Sequence, residues 1–138
     1  MTIHTCIALA NDTPTCYLAT TEGDQPHVRA LGFWFADETG FYFQTGSIKS
    51  MTTQLKINPK TEVCWFDEKN GKMLRVTGEV EFLEDRALKE KCMKDRPFLA
   101  NMGLTADSPD LIIFRIAHGE AYIWTFENNL KPKKNIKF

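Results

Sequence analysis

Strand-like segments joined by turns of only a few residues leave this chain little room for anything but antiparallel sheet. Residues 15–20 (Thr-Cys-Tyr-Leu-Ala-Thr) are β-prone, Glu22-Gly23-Asp24 supplies a turn, and an apolar run follows over 26–35. The turn at Asp37 to Gly40 leads into 40–45, and Asn70-Gly71 joins 61–67 to 73–83. That last segment alternates: Leu74, Val76, Gly78, Val80 and Phe82 share one face, Arg75, Thr77, Glu79 and Glu81 the other. Residues 111–117 and 120–126, meeting at His118-Gly119, complete a count of about seven strands. Parallel neighbours would each need a crossover of roughly a dozen residues or more. The order therefore predicts a mainly β, antiparallel barrel.

Two to three helices flank it. Ile3, Cys6, Ile7 and Leu9 suggest a short N-terminal helix ending near Asn11-Asp12 and Pro14. From Ser47 the period changes, with Ile48, Met51, Thr52 and Leu55 on one face and Asn58-Pro59 as the stop. Glu84-Asp85 opens a third helix that runs to about Arg96 before Pro97. Residues 98–109 read as irregular and the tail from Asn128 as polar and lysine-rich. A chain of 138 residues with no composition break is expected to form one domain over 1–138. Segments 26–35 and 40–45 are apolar on both faces, which predicts a helix or a second subunit over them.

A formal charge of −1 gives the molecule no general field for nucleic acid or a membrane surface, so binding must be local. No apolar stretch is long enough to span a bilayer. Cys6, Cys16, Cys64 and Cys92 form no Cys-x-x-Cys pair and fit a reducing cytoplasm. No metal-ligand spacing is present, and no serine or cysteine nucleophile has a base placed by a motif. Hydrolytic chemistry has no support.

One charge stands out. Arg29 shares its strand face with His27, Leu31, Phe33 and Phe35, and a guanidinium in apolar company needs a partner. Gly46 to Ser50 offers the complement: Ser47 as a helix cap, free N–H groups in the first turn, and Lys49 and Ser50 beside them. Donors, cation and hydroxyls together describe an anion site, with phosphate the obvious ligand.

Tyr17-Leu18-Ala19-Thr20, Gln25-Pro26-His27-Val28-Arg29, Phe41-Tyr42-Phe43-Gln44-Thr45-Gly46, Lys49-Ser50 with Gln54-Leu55, Asn58-Pro59 and Ala121-Tyr122-Ile123-Trp124 follow one another in a known order. From about residue 14 to residue 127 the chain resembles the pyridoxamine 5′-phosphate oxidase-like FMN-binding split-barrel proteins. The resemblance implies a split barrel that forms a homodimer with FMN at the subunit interface. Arg29 and Lys49 would hold the phosphate, with Ser50 and Ser47 adding hydrogen bonds. Ala30, Leu31, Gln44 and Thr45 would line the flavin and ribityl chain; Gln54 would be a polar neighbour, and Trp124 would approach from the partner subunit.

Met73 stands where the vitamin-oxidising branch commonly carries a glutamine, and Leu130-Lys131-Pro132-Lys133 departs from that branch's Arg-Leu-x-Pro-like end. The implied relatives are the short bacterial pyridoxamine oxidase-related or nitroimidazole-resistance-like flavoproteins. The implied activity is a flavin-dependent oxidoreductase moving electrons from a reduced donor to a small acceptor. An electron carrier or sensor without turnover, or a haem- or deazaflavin-binding relative, stands as the alternative.

Overall fold

The computed structural model describes residues 1–138. Helix α1 (Ile3–Asp12) precedes β1 (Thr15–Glu22), β2 (Gln25–Gly32), β3 (Phe35–Asp37) and β4 (Gly40–Gly46). Helix α2 (Ser50–Ile57) leads to β5 (Lys60–Asp67), β6 (Lys72–Glu79) and β7 (Glu81–Leu83). Then come α3 (Arg86–Asp95), α4 (Phe98–Asn101), β8 (Leu111–Ile116), β9 (Gly119–Trp124) and β10 (Ile136–Lys137). The strands form a six-stranded sheet, β10-β9-β6-β5-β1-β2, and a four-stranded sheet, β3-β4-β8-β7. All pairings are antiparallel and neither sheet closes on itself, so the architecture is a split barrel.

The count of ten strands exceeds the expected seven for a physical reason. The run 26–35 breaks after Gly32 because the Phe33 amide donates to the Pro14 carbonyl (2.8 Å), and the chain passes from one sheet into the other. The run 73–83 breaks likewise at Val80, whose amide donates to Pro59 (2.9 Å). Each long run is thus two strands around a corner. The third addition, β10, lies in the tail read as polar and lysine-rich, where Ile136 pairs with Ala121 and the Phe138 ring meets Phe41 at 5.5 Å.

Alternation places the core. Leu18, Val63, Val76 and Ala121 are in register across β1, β5, β6 and β9 and are all fully buried. Trp65 stands among Phe33, Phe41 and Phe43, with Phe33 edge-on at 5.0 Å. Most of the aromatics therefore pack rather than bind. Helix α1 closes one end through Cys6, Leu9 and Ala10. Its Asn11 side chain donates to and accepts from the Ala36 backbone (2.9 and 2.8 Å), occupying the free edge of β3.

One expectation is met in part within the single chain, and one needs correction. Strand β4 is buried on both faces, but β2 is an edge strand whose outward residues Pro26, Val28, Ala30 and Gly32 are exposed, Val28 at 70%. Apolar composition there reflects a bare face in the single chain. Helix α2 begins two residues later than read, with Lys49 rather than Ser47 as its cap residue and Ser50 as its first. Ser47 does not cap it, because residues 46–49 are held as a turn by Lys49 N–H to Gly46 O and Ser47 N–H to Asp110 O.

Candidate functional site

Arg29 is pinned by a short network. Its Nη1 donates to Thr20 Oγ1 (2.8 Å) and Leu18 O (3.3 Å), and its Nη2 to Gln54 Oε1 (2.8 Å). The Thr20 hydroxyl in turn donates to Gln54 Oε1 at 2.6 Å. Two acceptors so close to each other match the paired tips of the guanidinium, so the end-on edge is spent on Thr20 and Gln54. The remaining donors are Nε–H and the second Nη2 hydrogen, which form the side-on fork that grips a phosphate or carboxylate bidentately. Burial lowers the Arg29 pKa from its ordinary value, yet a guanidinium stays charged at neutral pH.

The same contact ties Arg29 to the second turn of α2. Ser50 and Gln54 are four residues apart and share a face, separated by about one helical turn. No backbone acceptor meets the Ser50 and Met51 amides. Lys49 is exposed and has no carboxylate within ion-pair distance. Positive charge, free amides and a hydroxyl therefore gather at one helix end.

Beside them opens a cleft of about 560 Å³, within the range of roughly 300–1,000 Å³ that houses mid-sized ligands. Ala30, Leu31 and Gly32 wall it from the six-stranded sheet, and Gln44, Thr45 and Gly46 from the four-stranded one. Ser47 and Lys49 lie at the α2 end, and Arg96, Phe98 and Leu99 add to the lining. Arg96 donates to Phe33 O (3.0 Å) and Gly32 O (3.4 Å), while its buried Nε has no partner. Arg75, Arg86 and Arg115 all hold carboxylates; Arg29 and Arg96 hold none.

The sequence profile described as Pyridoxamine 5′-phosphate oxidase matches residues 4–125. The chain belongs to the pyridoxamine 5′-phosphate oxidase family. Among solved structures, a NimC/NimA family protein from Clostridium acetobutylicum is 30% identical at a TM-score of 0.84, covering 98% of this chain and 92% of that one. General Stress Protein 26 from Bacillus anthracis is 20% identical with a TM-score of 0.78, each chain fully covered. An FAD-binding protein from Mesorhizobium loti is 18% identical with a TM-score of 0.70, covering 89% of this chain and 92% of that one. No curated protein matches the chain.

In this pyridoxamine 5′-phosphate oxidase family chain, Ala30, Leu31, Gln44, Thr45, Ser47 and Lys49 line one cleft. Arg29, Ser50 and Gln54 stand next to it in sequence or through the Thr20 network. Trp124 does not join them: it lies on β9, on the far side of β6, β5 and β1 from β2, with its indole donating to Asn129 Oδ1 (2.7 Å). His27 faces Glu22 (3.4 Å). Thr20, Arg96 and Asp110 were not singled out by the sequence, because each owes its place to a partner between 9 and 64 residues away.

Proposed function

We propose that this chain binds FMN and works as an oxidoreductase passing electrons from a reduced donor to a small-molecule acceptor. The observation that carries the reading is the pinned Arg29 guanidinium, its side-on fork free, docked on the face of α2 one turn from Lys49 and the unpaired amides. These residues fit a phosphate monoester. The cleft between Leu31 and Gln44, Thr45 offers apolar and polar surface for a planar ring and its polyol chain. When bound, FMN supplies the two-electron chemistry, and the protein supplies position and charge around it.

The second cofactor wall is assigned to a partner subunit. Ala30 and Val28 on the bare face of β2, with Tyr17 (45% exposed) beside them, give a homodimer an apolar surface, and Trp124 would reach the cleft of the opposite subunit. Met73, paired in register with Trp124, and the Leu130-Lys131-Pro132-Lys133 segment argue against pyridoxamine phosphate itself as substrate. Four free cysteines suit a reducing compartment such as the cytoplasm. A carrier role without turnover is the competing reading, favoured by a cleft whose only titratable carboxylate is Asp110 and which no histidine lines.

Titration of purified chain with FMN and with riboflavin tests the cofactor. Arg29→Ala and Lys49→Ala are each expected to weaken FMN by roughly tenfold or more, as befits a charge-assisted bond, and riboflavin far less. Equal losses for the two ligands would assign these residues to the fold. Steady-state turnover with a reduced nicotinamide donor separates enzyme from carrier.

A further inference from the structure

Asp110 is the anomaly at the anion end of the cleft. Its Oδ1 accepts the Ser47 hydroxyl at 2.6 Å, and its backbone carbonyl accepts the Ser47 amide at 3.0 Å. A Cβ built on Gly46 would lie 3.9 Å from both the Asp110 carbonyl oxygen and Lys49 Cγ, so Asp110 and Lys49 flank the same turn. Lys49 nevertheless forms no ion pair with it. A carboxylate thus stands beside the cation and amides that would receive a phosphate, and it takes up the one donor hydrogen of Ser47.

Resting on the FMN reading above, we infer that Asp110 is a specificity-determining residue that holds down the affinity of the cleft for a phosphate-bearing flavin. Two effects act in the same direction. The carboxylate repels a ligand phosphate across the turn, a term that grows with the ligand's charge and is absent for an uncharged one. The Ser47 hydroxyl can donate to phosphate only by leaving Asp110, so one of the expected hydrogen bonds is replaced rather than added. The cleft that results takes FMN as an exchangeable ligand and distinguishes it less sharply from riboflavin than Arg29 and Lys49 alone would.

Asp110→Asn tests this, because an amide oxygen still accepts the Ser47 hydroxyl and keeps the turn while removing the charge. Fluorescence titration at low ionic strength is expected to show FMN binding roughly five- to tenfold tighter in the variant, with riboflavin changed less than twofold. The gap between variant and wild type should narrow at high salt. Unchanged or weaker FMN binding, or equal tightening of riboflavin, overturns the inference while leaving the FMN reading standing. If only the variant takes FMN, the opposition of Asp110 to the phosphate is upheld, while the wild-type FMN reading and its exchangeable occupancy both fall. If neither does, both fall.

Discussion

Thr20 shows how one hydroxyl directs a charge it never neutralises. The guanidinium cannot swing without breaking its three bonds to Leu18, Thr20 and Gln54, and the hydroxyl itself accepts from Arg29 and donates to Gln54. Thr20→Val keeps the shape and removes both. The expected outcome is a stability loss of about 1–3 kcal/mol in urea titration, together with FMN affinity falling toward that for riboflavin. Thr20→Ser should restore both, which a purely steric role for the methyl group would not predict. Arg29 itself was legible in the sequence, since a lone arginine in an apolar strand demands an explanation. Its anchors were not, because Thr20 and Gln54 reach it only once β1, β2 and α2 are assembled. The same holds for Ser47, which looked like a helix cap but is claimed by Asp110, 63 positions away.

The elements were easiest to read where local chemistry decides them. Asn70-Gly71 makes its turn with Gly71 at a φ of 64°, and the alternation of 73–79 becomes β6 with Leu74 and Val76 fully buried. Corners were illegible, because the amides that end β2 and β6 are taken by Pro14 and Pro59 from other parts of the chain. Close approach governs the β6–β9 ladder: a Cβ on Gly119 would sit 2.0 Å from the Thr77 carbonyl oxygen. Gly119→Ala should therefore cost upwards of about 2 kcal/mol in chemical denaturation, with no compensating slack in the facing backbone. Helix α3 carries a different signature. Asp95 is held below the ordinary carboxylate range, first by Lys91 and then by the Trp34 indole N–H. A depressed folded-state pKa stabilises above the unfolded value, and that contribution disappears as pH falls through the folded one. Wild type should thus lose stability relative to Asp95→Asn on acidification below about pH 4, measured as the gap between their melting temperatures.

At the scale of the molecule, the open face of the six-stranded sheet is the feature a single chain leaves unexplained. Sedimentation of the purified protein is expected to give a dimer, and Trp124→Ala is expected to weaken FMN several-fold while the isolated fold remains intact. A monomeric wild type that binds FMN fully would remove the partner subunit from the site. The cleft also crosses the seam where the chain leaves one sheet at Gly32 and enters the other at Phe35. Whatever fills it touches β2 on one side and β4 on the other, bridging two sheets that share no backbone ladder. A ligand seated there acts as a rivet for the barrel. Saturating FMN at about a hundredfold over its Kd should add roughly 2.7 kcal/mol of stability, and amide hydrogen exchange should slow on both sides of the seam at once. The protein's durability in a cell would then follow the local supply of the ligand proposed for this cleft.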